Sequence, residues 1–192
     1  MGKPASAVRM ALAAATAVVA LGCGTAEPVA PAAPAPSVVK APDADANEVP
    51  DAPEGRALLT ITGRIAATNG DGTLSLDQTQ LDRLGLLAMD VNDPWAKKRI
   101  GVQGFWLRDL VDLARPAAGA TSLHLTALDD YQVDITLADI RSQSIFLATR
   151  TGDGAALPVD EGGPTRVVFG DDLASRFSPD MWIWNIETIE VR

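Results

Sequence analysis

The sequence predicts an α+β domain, a mixed, barrel-like β-sheet arrangement with a few short helices, and three observations carry that expectation. Between Arg56 and Arg192 about eight short runs alternate apolar and polar residues at the period of a strand. Only two or three runs recur at helical spacing. These helical runs do not fall between successive strands in the repeating order that a doubly wound parallel sheet requires, and no internal repeat is visible.

The elements follow in order. LLTITGRI (58–65) places Leu59, Ile61, Gly63 and Ile65 on one side and Thr60, Thr62 and Arg64 on the other, as in a half-buried strand. NGDGT (69–73) is a turn, and LSLDQTQLDRLG (74–85) reads as a short helix capped by Ser75 or Asp77 and stopped near Gly85. LLAMDV (86–91) and RIGVQGF (99–105) are strands. The second runs into WLRDLVDLA (106–114), where Leu107, Leu110, Val111 and Ala114 share a helical face until Pro116 ends the helix. SLHLTAL (122–128), YQVDI (131–135) and SIFLATR (144–150) read as strands, with a helical turn at LADIRS (137–142). TRVVF (165–169) and WIWNIETIEV (182–191) complete the sheet. In the last run Trp182, Trp184 and Ile186 share a phase that Ile189 and Val191 do not, which predicts a bulge near Glu187 or Thr188.

The segment before this domain has a different composition. Residues 1–22 carry Lys3 and Arg9 and then an uncharged run from Met10 to Leu21, too short for a transmembrane span and in keeping with an export signal. The run closes on ALGC, which resembles the lipobox of bacterial lipoproteins. The resemblance makes Cys23, the chain's one cysteine, the site of lipidation; an unmodified cysteine in an ordinary signal is the competing reading. Residues 23–55 then read as the lipidated cysteine and a Pro/Ala-rich disordered tether, since Gly24 to Gly55 holds seven of the thirteen prolines and nine alanines. One lysine against six acids leaves that stretch at −5, so the lipid, not charge, would hold it to a membrane.

The domain itself, residues 56–192, has 13 basic against 19 acidic residues, a balance of −6 that excludes a nucleic-acid partner of the usual basic kind. KKR (97–99) reads as a solvated turn. His124 alternates with Ser122 and Thr126 as an exposed strand histidine, and no other histidine can serve a Ser-His-Asp set. GxSxG, GxGxxG and GxxxxGK[ST] are all missing from the sequence. The Asp-Gly pieces in NGDGT and TGDG (151–154) lack the later ligands of a calcium loop and read as hairpin turns. Of four tryptophans, Trp182 and Trp184 read as core, whereas Trp95, in a loop after Asp93-Pro94, offers an apolar face to a ligand.

QGFWLRDLVDLA, ALDDYQVDITLADI, IFLATRTGDGAALPVDEGGPTRVVF and WNIETIEV together resemble the oxidoreductase molybdopterin-binding domain of the sulfite oxidase superfamily, over about residues 57–191. In that family a helix after a GVxLRDLL-type sequence, a strand opening on DGY, an LPxxHGxPxR loop and a final KWLxxIEV strand occur in this order. The resemblance is strongest to short exported members without the cysteine, and it implies the sulfite-oxidase-type fold. In catalytic relatives a cysteine thiolate holds molybdenum and basic residues grip the pterin phosphate. Here residues 56–192 contain no cysteine, Glu161 stands where the loop histidine would be, and Ile183 replaces the lysine of the last strand, while Leu157, Pro158, Gly162, Pro164 and Arg166 match.

The sequence therefore points to a bacterial lipoprotein on the periplasmic or extracellular side whose domain is a non-catalytic module for a small molecule or an envelope protein. No catalytic residue, metal ligand or cofactor is expected. Trp95, Asp130, Tyr131 and Arg166 are the candidates to line the old cofactor cleft, with Tyr131 equally readable as inward strand packing. The alternative is a molybdopterin-dependent oxidoreductase with an atypical or partner-completed site. A structural role at the envelope is a third reading.

Overall fold

In the computed structural model, Gly2 and residues 35–192 are described; the export signal, Cys23 and the first part of the expected tether lie outside the described residues. Alternation of large apolar side chains sets two five-stranded sheets. The first has the order β1 (Ser37–Lys40), β4 (Leu86–Asp93), β5 (Lys98–Trp106), β8 (Ile145–Thr151) and β9 (Arg166–Phe169), every pair antiparallel. The second has β3 (Leu74–Leu76), β2 (Leu59–Gly63), β10 (Ile186–Val191), β6 (Ser122–Ala127) and β7 (Gln132–Thr136), with β2 and β10 parallel and the other pairs antiparallel. The α+β class and the mixed pairing are thus as the sequence predicts, resolved into two sheets.

Among the described residues three short α-helices accompany them: α1 (Gln78–Asp82), α2 (Leu107–Ala114) and α3 (Leu137–Ser142). Leu110, Val111 and Ala114 of α2 face Ile61, Leu123, Ile189 and Val191 of the second sheet, leaving a void of only about 10 Å³. Such close packing is the normal state of an interior. Phe105, Phe146, Leu147 and Phe169 of the first sheet belong to the same apolar core as Leu59, Leu123 and Ile186 of the second. Gly104 marks where β5 and β8 come closest, since a Cβ there would sit 2.0 Å from the Leu147 carbonyl oxygen.

Three expectations need correction. Ser37–Lys40 is not tether: it pairs along β4, Lys40 Nζ donates to the Asp82 carbonyl at 2.8 Å, and Asp43 N donates to Arg83 O at 2.9 Å. The physical reason is that β4 would otherwise present an unpaired edge, and SVVK supplies a short β-branched run between Pro36 and Pro42 to cover it. Leu74–Leu76 is a strand, and the helix after it is only five residues long. Asp77 closes a capping box with Gln80 at its start. Finally, Trp182–Asn185 lies outside the last strand. Asn185 has a left-handed φ of 53°, so β10 starts at Ile186, and its register against β6 shifts between Ile186 and Thr188, where a bulge was expected.

Among the described residues, no helix is long and apolar enough to cross a membrane.

Candidate functional site

The site grows from Asp93, the last residue of β4. Its Oδ1 accepts from Trp95 N at 2.8 Å and Ala96 N at 2.9 Å, an Asx-type turn that reverses the chain into β5 and leaves the Trp95 ring exposed. Its Oδ2 lies 3.2 Å from Arg166 Nη2, and both side chains are almost wholly buried. Arg166 opens β9, donates from Nη1 to the Glu161 carbonyl at 3.0 Å, and stacks its guanidinium 5.2 Å over the Trp184 ring. Burial lowers its pKa from the ordinary arginine value, and the Asp93 carboxylate opposes that effect.

The 158–163 loop is fitted to these groups. Gly162 has φ 92°, and a Cβ there would meet Arg166 Cδ at 2.8 Å and the Trp184 ring at 3.0 Å. Asn185 ties the loop down: its amide nitrogen Nδ2 donates to Val159 O at 2.8 Å and to Gly163 O, and its backbone N donates to Gly162 O at 2.8 Å. An Asn tolerates the left-handed conformation this position requires.

Two cavities meet at Trp184. The smaller, about 210 Å³, is bounded by Asp93, Arg166, Asp160, Glu161 and Lys98 among others. The larger, about 450 Å³, is walled by Trp95, Tyr131, Trp182 and Trp184, with Asp129, Asp180 and Asn185 at its polar edge. The 3₁₀ turn Pro179–Met181 sets two of those rings. Trp95 Nε1 donates to Pro179 O at 3.1 Å and Tyr131 Oη donates to Asp180 O at 2.8 Å.

Of the sequence candidates, Trp95 and Tyr131 come together in the larger cavity and Arg166 borders the smaller one. Tyr131 is exposed, not packed inward. Asp130 does not line either cavity; it takes a φ of 66° in the β6–β7 turn, and its neighbour Asp129 faces the cavity instead. Trp182 is buried, as expected of core, yet also walls the larger cavity, and Trp184 is only half-buried. Asp93, Asp180 and Asn185 are the site residues that sequence reasoning missed. The Asp-Pro before Trp95 was the one available signal, for an Asx turn, and nothing local marked Asn185. His124, on the far sheet, pairs its Nδ1 with Asp134 Oδ1 at 2.9 Å and takes no part.

The family model described as the oxidoreductase molybdopterin binding domain matches residues 82–191. The chain belongs to that family. The fold is similar to that in the crystal structure of the sulfane dehydrogenase SoxCD from Paracoccus pantotrophus, at a TM-score of 0.55 and 15% identity. That likeness covers 70% of this chain and 38% of the dehydrogenase chain, so this chain spans well under half of that relative. No curated protein matches.

In the smaller cavity Arg166 faces Asp93, with Asp160, Glu161 and Lys98 on the same border, and the buried Arg166 Nε, Asp93 Oδ2 and Trp184 Nε1 have no hydrogen-bond partner. Among the described residues no three or more His, Cys, Asp or Glu side chains are grouped to hold a metal, and the sequence has no cysteine after Cys23. Ile183 is fully buried in the core.

Proposed function

We propose that this member of the molybdopterin-binding family is a membrane-tethered extracytoplasmic lipoprotein that binds a small molecule or an envelope protein without molybdenum chemistry. The buried Asp93–Arg166 pair is the observation that carries the reading. An arginine that is to clamp a phosphate must exchange water for the ligand, whereas this one already faces a carboxylate, a carbonyl and an indole, with its buried Nε left without a hydrogen-bond partner. Bringing a second anion beside Asp93 and Glu161 adds repulsion in a poorly solvated place. Lipidation at Cys23 supplies the anchor, and the export signal before it supplies the periplasmic or extracellular location. A net charge of −9 argues against a nucleic-acid partner.

The family match favours a second reading, a molybdopterin-dependent oxidoreductase whose site is atypical or completed by a partner. One experiment separates the two. The full chain, made in a host that synthesises and inserts the cofactor, is analysed for molybdenum by mass spectrometry and for pterin by the fluorescence of its oxidised form. Neither is expected above background; near-stoichiometric amounts of both overturn the proposal in favour of the oxidoreductase.

A further inference from the structure

The larger cavity has a composition of its own. Three of the chain's four tryptophans and its single tyrosine form the walls. Trp95 and Tyr131 keep 53% and 46% of their surface exposed although each is pinned by a hydrogen bond at its polar tip. The 179–181 turn thus satisfies the indole N–H and the phenol O–H and leaves the rings themselves bare. An aromatic ring presents a negative face, so the walls favour positive charge. Asp129, whose Oδ1 accepts from Tyr131 N at 3.2 Å, and Asp180 also line the cavity, and among the described residues neither has a cationic partner. Among the described residues no lysine, arginine or histidine lines this cavity.

A ligand for such a site must bring charge and apolar surface in the same group. A carboxylate or phosphate would face Asp129 and Asp180 without a counter-charge. A neutral apolar molecule would leave both carboxylates unused. A primary ammonium is small and strongly hydrated, and the walls offer few acceptors in return for its lost water. A quaternary or fully methylated ammonium meets every condition, because its charge is spread over methyl groups that can touch indole faces without unsatisfied N–H donors. The cavity's volume of about 450 Å³ lies within the range of small-ligand sites.

We infer that the Trp95–Tyr131–Trp182–Trp184 cavity is a binding site for a small quaternary or fully methylated ammonium compound. The inference deepens the ligand-binding reading above and rests on it. The test uses the full chain titrated with choline and, in parallel, with 3,3-dimethylbutan-1-ol, which replaces the charged nitrogen by carbon at the same shape. Binding is read by calorimetry and by tryptophan emission. Choline is expected to saturate one site and the neutral isostere to bind at least about tenfold more weakly. Trp95→Ala, at an exposed position, should weaken choline about tenfold, and Asp129→Asn with Asp180→Asn should weaken it several-fold while leaving the isostere unchanged. Equal binding of the two compounds, no saturable choline response in the millimolar range, or a Trp95→Ala variant that binds as well as the parent would overturn the inference. If choline fails while molybdenum and pterin are absent, only this inference falls; if the cofactor is present, the reading beneath it falls as well.

Discussion

At the scale of single residues, Asp93 does two jobs with its two oxygens: one fixes the turn that carries Trp95 and the other neutralises Arg166. Asp93→Ala should therefore cost about 3–5 kcal/mol in urea denaturation, the usual penalty for stranding a buried charge. Replacing both partners, as Asp93→Leu with Arg166→Met, should cost clearly less than the single change, because no uncompensated charge remains. Gly162→Ala is expected to destabilise by about 1–3 kcal/mol through its left-handed backbone, and the clash with Trp184 should shift the tryptophan emission. Part of this site was legible in the sequence. Trp95 and Tyr131 stand at turns where a large ring has no strand neighbour to cover it. Asn185 was not legible, because its role is to hold a carbonyl 26 residues away at Val159, and only the folded chain brings the two together. Its left-handed backbone also broke the strand alternation that had placed Trp182 and Trp184 on one face of a continuous strand.

At the scale of elements, the 3₁₀ turn Asp171–Leu173 is bound to the β4–β5 hairpin through one carboxylate. Asp171 accepts from Asn92 N and Asn92 Nδ2, each at 2.9 Å, and from Arg99 Nη1 at 2.9 Å. Burial would raise its pKa, but the Asn92 and Arg99 contacts together hold it below the ordinary carboxylate value. A depressed folded pKa means that this contribution is complete above the unfolded value of about 3.9 and is lost as pH falls through the lower folded value. Denaturation followed from neutral pH down through the acid range should show a shallower acid loss for Asp171→Asn than for the parent. At α1, Asp77→Ala should cost about 1 kcal/mol by removing the cap. The well-read elements were those with an unbroken period: β6 and β7 alternate strictly, and α2 repeats its apolar face over two turns. β1 was missed because proline and alanine dominate its surroundings, and what makes it a strand is the bare edge of β4 about fifty residues later.

At the scale of the whole molecule, the chain keeps the family fold with Asp93, Asp160 and Glu161 around the smaller cavity and Asp129 and Asp180 around the larger, and a fold does not by itself fix a ligand. Cys23→Ser should release the protein from the membrane fraction into the soluble one; retention in the membrane would remove the lipid anchor from the account. The docking of β1 also shortens the tether that composition alone allots. Gly24 to Gly55 is 32 residues, but the chain is paired into the sheet from Ser37 onward, so under the lipoprotein reading proposed above thirteen residues, 24–36, separate Cys23 from the first strand. The edge strand, not the composition of the segment, decides how much of the chain is left to act as a tether.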